Sequence, residues 1–317
     1  MAIRRRGRQQ QWTATAAILL VLCLAGGAIY IFWPPPPVYL DEHNCPTNQP
    51  LEKHTIILVD ATDPFNGDQL RSLRAVFKRE TDGADPYEKF TVLEISENDP
   101  FGPTQRVTIC APEESEATRG MTLMGRLSKN PSWVDAAWKQ FLKAVDVTDT
   151  IAKAKAQNST PLIESIFELG QRDDFSPNVS GRRLVIVSDL LQNTDAFYSL
   201  YKSPPVFQDF KQSPGAAKLI PNLRGIAVVA YYVVRPSSQH ALEAQGACQL
   251  QFWKDYFAAA HAKSFDVKEW PWSDTPPANG ACEHILDGGS SHAKKHLRSK
   301  RRLLHRGIRI SQEHHRA

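Results

Sequence analysis

The sequence predicts an α/β domain with a mostly parallel, doubly wound sheet and helices on both faces, preceded by one transmembrane helix. Three observations predict it. Apolar, β-branched runs such as Thr55–Val59, Phe90–Ile95, Arg183–Val187 and Arg224–Val234 alternate with stretches of helical periodicity. That is the order of a sheet whose parallel strands are joined by crossover helices. Two of the runs, His54–Val59 and Arg183–Val187, end abruptly in hydroxyl and carboxylate side chains. Buried strands of open α/β sheets end in this way when they deliver polar groups to a ligand cleft. Residues 13–33, TATAAILLVLCLAGGAIYIFW, carry no charge over 21 positions, enough to cross a hydrocarbon core of roughly 30 Å as a helix.

The flanks of that apolar segment set its expected orientation. Arg4, Arg5, Arg6 and Arg8 precede it, and the first basic residue after it is Lys53. The positive-inside bias places residues 1–12 in the cytoplasm as a basic head and the body across the membrane. Trp12, Tyr30 and Trp33 suit the two interfaces. A cleaved signal peptide is the rival reading, but the apolar stretch is too long and no small-x-small site precedes Trp33. Pro34–Pro37 is a short polyproline spacer within an approach segment, 34–53. A signal-anchor with a short Arg-rich head predicts a bacterial inner-membrane protein, single-pass, with its main domain periplasmic or otherwise extracytoplasmic. The lipid bilayer is then one partner, engaged through residues 13–33.

Charge is unevenly spread over the 317 residues. The head holds four Arg and no acid, residues 291–317 hold nine Lys/Arg and one Glu, and residues 34–290 hold 25 basic and 33 acidic residues. An acidic body between two basic ends outside the cytoplasm makes nucleic acid an unexpected partner. The tail, 276–317, reads as a solvated, disordered extension. Cys45, Cys110, Cys248 and Cys282 lie in the body, an even number suited to an oxidising compartment. Four cysteines allow three pairings, and spacing does not choose among them.

Along the body, Thr55–Val59 is the first strand and Asn66–Lys78 an amphipathic helix, with Leu70, Leu73, Val76 and Phe77 on one face. Phe90–Ile95 is the second strand. Arg106–Cys110 is a short third strand suited to antiparallel pairing at an edge. Ser132 is placed to cap a helix over Trp133–Val145, and Asp146–Gln157 extends it or starts another. Leu162–Leu169 is a helix opening after Pro161. Arg183–Val187 is the fourth strand, Thr194–Leu219 carries helical pieces broken by prolines, and Arg224–Val234 is the fifth strand. Gln239–Ala262 reads as one long helix, and Phe265–Val267 as a last edge strand. No internal repeat and no second core is visible, so residues 54–275 form one domain.

Three polar pieces then stand in order: Asp60-x-Thr62 after strand one, Asn158-Ser159-Thr160-Pro161-Leu162 before a helix, and Val187-Ser188-Asp189 at the end of strand four. In order and spacing they resemble the von Willebrand factor A, or integrin I-type, family. The resemblance covers residues 54–270 and implies a metal-ion-dependent adhesion site. Asp60 and Asp189 would hold the ion, Thr62 and Thr160 would contribute hydroxyls, and an open position would take a carboxylate from a protein partner. Hard oxygen ligands of this kind suit Mg²⁺ or Mn²⁺. One position departs from the family pattern: Pro64 stands where a serine hydroxyl is usual, with Asp63 beside it. The same residues have a purely structural reading, in which Asp60 and Asp189 satisfy backbone N–H groups and Thr160 caps a helix.

The sequence therefore predicts a membrane-anchored protein-interaction or scaffolding module of the bacterial envelope, and no reaction. The alternative is a metal-assisted phosphoesterase or related hydrolase using Asp60 and Asp189. That chemistry needs a general base or a second set of ligands, and only Asp63 stands near. No nucleophile elbow, zinc-protease helix or phosphate loop occurs.

Overall fold

The computed structural model describes residues 17–23, 26–27, 38–113, 131–201, 205–234 and 244–269. Six strands form one sheet: β1 (Lys53–Val59), β2 (Lys89–Glu94), β3 (Thr104–Cys110), β4 (Gly181–Ser188), β5 (Ile226–Tyr232) and β6 (Ser264–Glu269). Their order across the sheet is β3-β2-β1-β4-β5-β6. Every pairing is parallel except β2 with β3, which run antiparallel around the turn at 95–103. The third strand thus takes the antiparallel edge position expected of it. β1 lies at the centre, and six of its seven residues are buried, as a strand covered on both faces requires.

The helices are α1 (Gly67–Thr81), α2 (Pro131–Val145), α3 (Thr148–Ile151), α4 (Leu162–Leu169), α5 (Phe207–Gln212) and α6 (Ala247–Ala259). Strand alternation divides the core in two. Ile57 and Val59 of β1 and Val185 and Val187 of β4 face Leu73, Val76 and Phe77 of α1, Phe141 and Val145 of α2, and Ile151 of α3. Ile56, Leu58, Leu184 and Ile186 face the other way, onto Leu162, Ile163 and Ile166 of α4, Phe210 of α5, and Phe252, Trp253, Tyr256 and Phe257 of α6. Burial of each such side chain contributes about 1.5–3 kcal/mol, so two filled faces, rather than helix propensity, hold these short elements in place.

Local chemistry explains where elements begin. α1 opens with a capping box: Asn66 Oδ1 accepts from Gln69 N (2.9 Å) and Gln69 Oε1 accepts from Asn66 N (3.0 Å). Two expectations are corrected. α2 starts at Pro131, which is pre-set for a first helical turn, so Ser132 lies inside the helix rather than before it. The helix expected to run unbroken over Gln239–Ala262 is interrupted: Ala244 is helical, Gly246 adopts φ 154°, a conformation that breaks regular helix, and α6 runs Ala247–Ala259; residues 239–243 lie outside the described residues.

The N-terminal ends of the strands form a charged pole. His54, fully buried in β1, has Nδ1 2.9 Å from the Asp174 carbonyl oxygen, so Nδ1 carries the proton and donates it. Nε2 then accepts from Thr91 Oγ1 at 2.9 Å. Burial pushes this imidazole down to about 4. Burial alone would raise the Asp174 carboxyl, but hydrogen bonds from Arg172 and Lys89 hold it well below the usual carboxylate range. Buried Glu80 pairs with Arg183 and accepts from Tyr231 OH at 2.5 Å. The Cys45–Cys110 disulfide closes the same pole, joining the approach segment to the end of β3 across 65 residues. His43 O accepts from Cys110 N beside it, at 2.9 Å. Cys248 is disulfide-bonded as well, while Cys23 is a free thiol.

Of the segment 13–33, only residues 17–23 and 26–27 are described; they are helical, and Ile18 to Leu22 are exposed. Among the described residues no helix is long and apolar enough to cross a membrane. The rest of that segment, the basic head, Pro34–Pro37 and the tail 276–317 lie outside the described residues.

Candidate functional site

β1 and β4 are parallel neighbours in register, Val59 opposite Val187. The chain beyond both strands therefore emerges at one place. Asp60 N donates to Val187 O (2.8 Å), which holds the first residue after β1 against β4. Asp60 is 1% exposed, yet its carboxylate is fully hydrogen-bonded. Oδ1 accepts from Thr62 Oγ1 (2.7 Å) and Thr62 N (3.2 Å), and Oδ2 accepts from Ser188 Oγ (2.7 Å). All three donors are neutral.

Thr160 joins this group from the loop before α4. Its Oγ1 lies 2.8 Å from Thr62 Oγ1. Thr62 gives its only hydroxyl proton to Asp60, so the proton between the two threonines belongs to Thr160. The Thr160 backbone is fixed by reciprocal bonds with Asn193, N to O at 2.8 Å and O from N at 3.0 Å. Thr62 O accepts from Gln157 N at 2.8 Å, tying the two loops a second time. Thr160 is half-buried, whereas Asp60 and Thr62 are buried, so the cluster meets solvent on the Thr160 side.

Of the four residues expected at the site, three are thus linked directly: Asp60, Thr62 and Thr160. Asp189 follows β4, is 3% exposed, and accepts from Leu191 N through Oδ1 at 2.9 Å. The last residue of β4, Ser188, is the one that reaches the Asp60 carboxylate. The turn here is strained. Leu190 adopts φ 59°, a left-handed conformation that costs a residue of this kind roughly 1–2 kcal/mol. α6 holds it there: Trp253 Nε1 donates to Leu190 O (2.9 Å) and Gln249 Nε2 to Asp189 O (2.8 Å). Asp63 and Pro64 are exposed. Thr160 does not cap α4, whose N-cap is Pro161 with no side-chain hydrogen bond.

Sequence reasoning missed the supporting residues. Ser188 was visible as a hydroxyl preceding a carboxylate, but its aim at Asp60 depends on the register between β1 and β4. Glu97 gives a second support, accepting from Asn158 N at 2.6 Å. Glu164, fully buried in α4, accepts from Thr194 Oγ1 (2.7 Å) and Gln192 Nε2 (2.9 Å). Burial raises its carboxyl above the ordinary range. An acid in the apolar turn LIESIFEL, four residues after Thr160, was the signal that could have found it.

The donor set can be compared with a divalent ion's demands. Among the described residues no three His, Cys, Asp or Glu side chains cluster as metal ligands. Hydroxyls carry the arrangement instead. Adjacent oxygens around Mg²⁺, each about 2.1 Å from the ion, sit about 3 Å apart. The Thr62–Thr160 pair at 2.8 Å meets that spacing. Asp60 Oδ1, 2.7 Å from Thr62 Oγ1, would supply negative charge beside such an ion. Pro64, at the position of the departing ligand, offers no side-chain oxygen.

No protein-family model matches the chain, and no curated protein matches it. Among solved structures it is similar to an aerotolerance-related membrane protein from Bacteroides fragilis carrying multiple mutations to serine. That match has 11% identity over 68% of this chain and 90% of the other, with a TM-score of 0.34. It is also similar to a von Willebrand factor type A structure from Catenulispora acidiphila. Here identity is 10% over 65% of this chain and 43% of the other, with a TM-score of 0.32.

Proposed function

We propose that the chain is a membrane-anchored, extracytoplasmic protein-interaction module whose domain is von Willebrand factor A-like and whose β1–β4 cleft binds a divalent cation. The observation that carries this reading is the hydroxyl pair of Thr62 and Thr160, 2.8 Å apart in front of a buried Asp60 carboxylate with only neutral donors. A buried anion without a cationic partner is costly, and a cation at the hydroxyl pair would offset it. Thr62 and Thr160 would hold Mg²⁺ or Mn²⁺, with Asp60 and Asp189 acting through hydrogen bonds or water. The ion supplies an electrophilic position for a carboxylate of a protein partner in the bacterial envelope. Residues 13–33 would anchor the chain in the inner membrane with the N-terminus cytoplasmic. The apolar exposed run Ile18–Leu22 supports that placement.

The test is a thermal-shift titration of the full-length chain with Mn²⁺ and Mg²⁺, beside Asp60→Ala and Thr160→Val. The expected result is a saturable rise in the wild type that both variants lose. No rise in the wild type, or an equal rise in Asp60→Ala, would overturn the metal reading. Capture of a partner by the wild type and not by Asp60→Ala would then identify what the site binds.

A further inference from the structure

We propose that Glu164 is a positioning residue for the cleft: its buried carboxylate holds the loop after β4 and thereby fixes the Thr160 hydroxyl against Thr62. The geometry runs through a closed set of hydrogen bonds. Glu164 Oε2 accepts from Gln192 Nε2 (2.9 Å) and Oε1 from Thr194 Oγ1 (2.7 Å). Gln192 Oε1 accepts from Ile163 N (2.7 Å), so the same glutamine is bound to α4 at both ends of its amide. Gln192 Nε2 also reaches Thr194 Oγ1 at 3.0 Å. Asn193 lies between the two gripped residues, and it is Asn193 that pairs backbone to backbone with Thr160.

The grip is specific because the site is dry. Glu164, Gln192 and Thr194 are all buried. In such surroundings a polar network holds its members rigidly when every group is satisfied, and fails when one is removed. The titratable group facing Glu164 is Tyr256 of α6, whose OH donates to Leu219 O at 2.8 Å. Glu164 is therefore held by hydrogen bonds rather than by an ion pair. It touches neither Thr160 nor Thr62 and acts through the loop. A glutamine at this position has the same shape and can accept from Gln192 while donating to the Thr194 hydroxyl, so it should retain the grip. An alanine cannot.

The inference rests on the cation reading only for its consequence, and the experiment separates the two. Hydrogen exchange by mass spectrometry on the full-length chain would follow fragments containing Thr160 and Asn193, with β5 as the reference. In Glu164→Ala those fragments should exchange at least about tenfold faster while β5 keeps its protection, as expected when buried donors lose their acceptor. Glu164→Gln should stay within about threefold of the wild type. Thr194→Val, which removes one strand of the grip without touching α4, should give a smaller acceleration at the same fragments. Where the wild type binds Mn²⁺, Glu164→Ala should weaken binding at least about tenfold and Glu164→Gln should restore it. Unchanged exchange at Thr160 and Asn193 in Glu164→Ala would overturn the proposal. If Glu164→Ala fails to fold, unchanged exchange in Thr194→Val would overturn it equally. A wild type that binds no Mn²⁺ would remove the cation reading alone, leaving the exchange result to decide the role of Glu164.

Discussion

At the N-terminal ends of the strands buried and half-buried carboxylates face cations; in and behind the β1–β4 cleft at the other end they face hydroxyls and amides. Asp174 is held by Arg172 and Lys89, and Glu80 by Arg183. Asp60 has Thr62 and Ser188, and Glu164 has Gln192 and Thr194. Around β1 and β4 the sheet thus neutralises charge at one pole and solvates it with dipoles at the other; farther out, Glu94 at the end of β2 is paired with Arg106. A paired charge is finished business thermodynamically. A carboxylate held only by neutral donors keeps its field, and that field is available to an incoming cation. The contrast is the reason the proposed cation site is placed at the C-terminal pole.

Four measurements test that contrast. The largest effect should come from the disulfide. Opening the Cys45–Cys110 bond with Cys110→Ser frees a 65-residue loop in the unfolded chain's favour, and stability in urea should fall by about 4 kcal/mol. Any metal response should survive, because the bond lies at the far pole; its loss would mean that the poles are coupled.

Acid should act next, through His54. Its folded value of about 4 lies below the ordinary 6.5, so between those values the unfolded chain binds more protons. Stability is complete above pH 6.5 and is lost as pH falls through 4, by about 3 kcal/mol at 1.36 kcal/mol per pH unit. Urea midpoints measured between pH 7 and 4.5 should show this slope in the wild type and a much flatter one in His54→Gln. Equal slopes would remove His54 from the account.

Mn²⁺ should come third, adding about 2.7 kcal/mol at a hundred times its dissociation constant. Asp60→Asn, which removes the charge and keeps the shape, should abolish that gain. A gain that persists in this variant would place the ion elsewhere. The smallest effect belongs to Lys53 and Asp85, paired at the charged pole but each half-exposed. Lys53→Ala should change the stability measured in urea by less than about 1 kcal/mol; a larger loss would show that even the rim of that pole carries stability.

Much of the sheet was legible because its signals are local. A run such as Thr55–Val59 must be buried on two faces wherever it lies, and a short polar-flanked run such as Arg106–Cys110 suits an edge. Asp60, Thr62 and Thr160 were legible as residue types at strand and loop ends, and they do meet. What was not legible depends on register and distance. Ser188 reaches Asp60 only because Val59 stands opposite Val187. His54 looked like the start of an apolar strand, and its role needs Asp174, 120 residues away. The Cys45–Cys110 pairing follows from β3 turning back along β2, which brings Cys110 to the end of the sheet where the approach segment arrives. The break in the expected long helix was not legible because Gly246 interrupts the apolar pattern without altering it.

The two ends of the described domain leave from opposite poles. β1 starts at Lys53 beside the disulfide, whereas β6 finishes with Glu269 level with Tyr232, which stands opposite Ser188. A pull between these ends acts along the strands, so the ladder bonds are loaded together in shear instead of opening one after another like a zip. The disulfide divides the incoming force between β1 and β3 before it reaches the centre of the sheet. A domain tethered at one pole and held by a partner at the other would therefore carry tension along its mechanically strongest axis, with the hydroxyl pair of the cleft at the loaded tip.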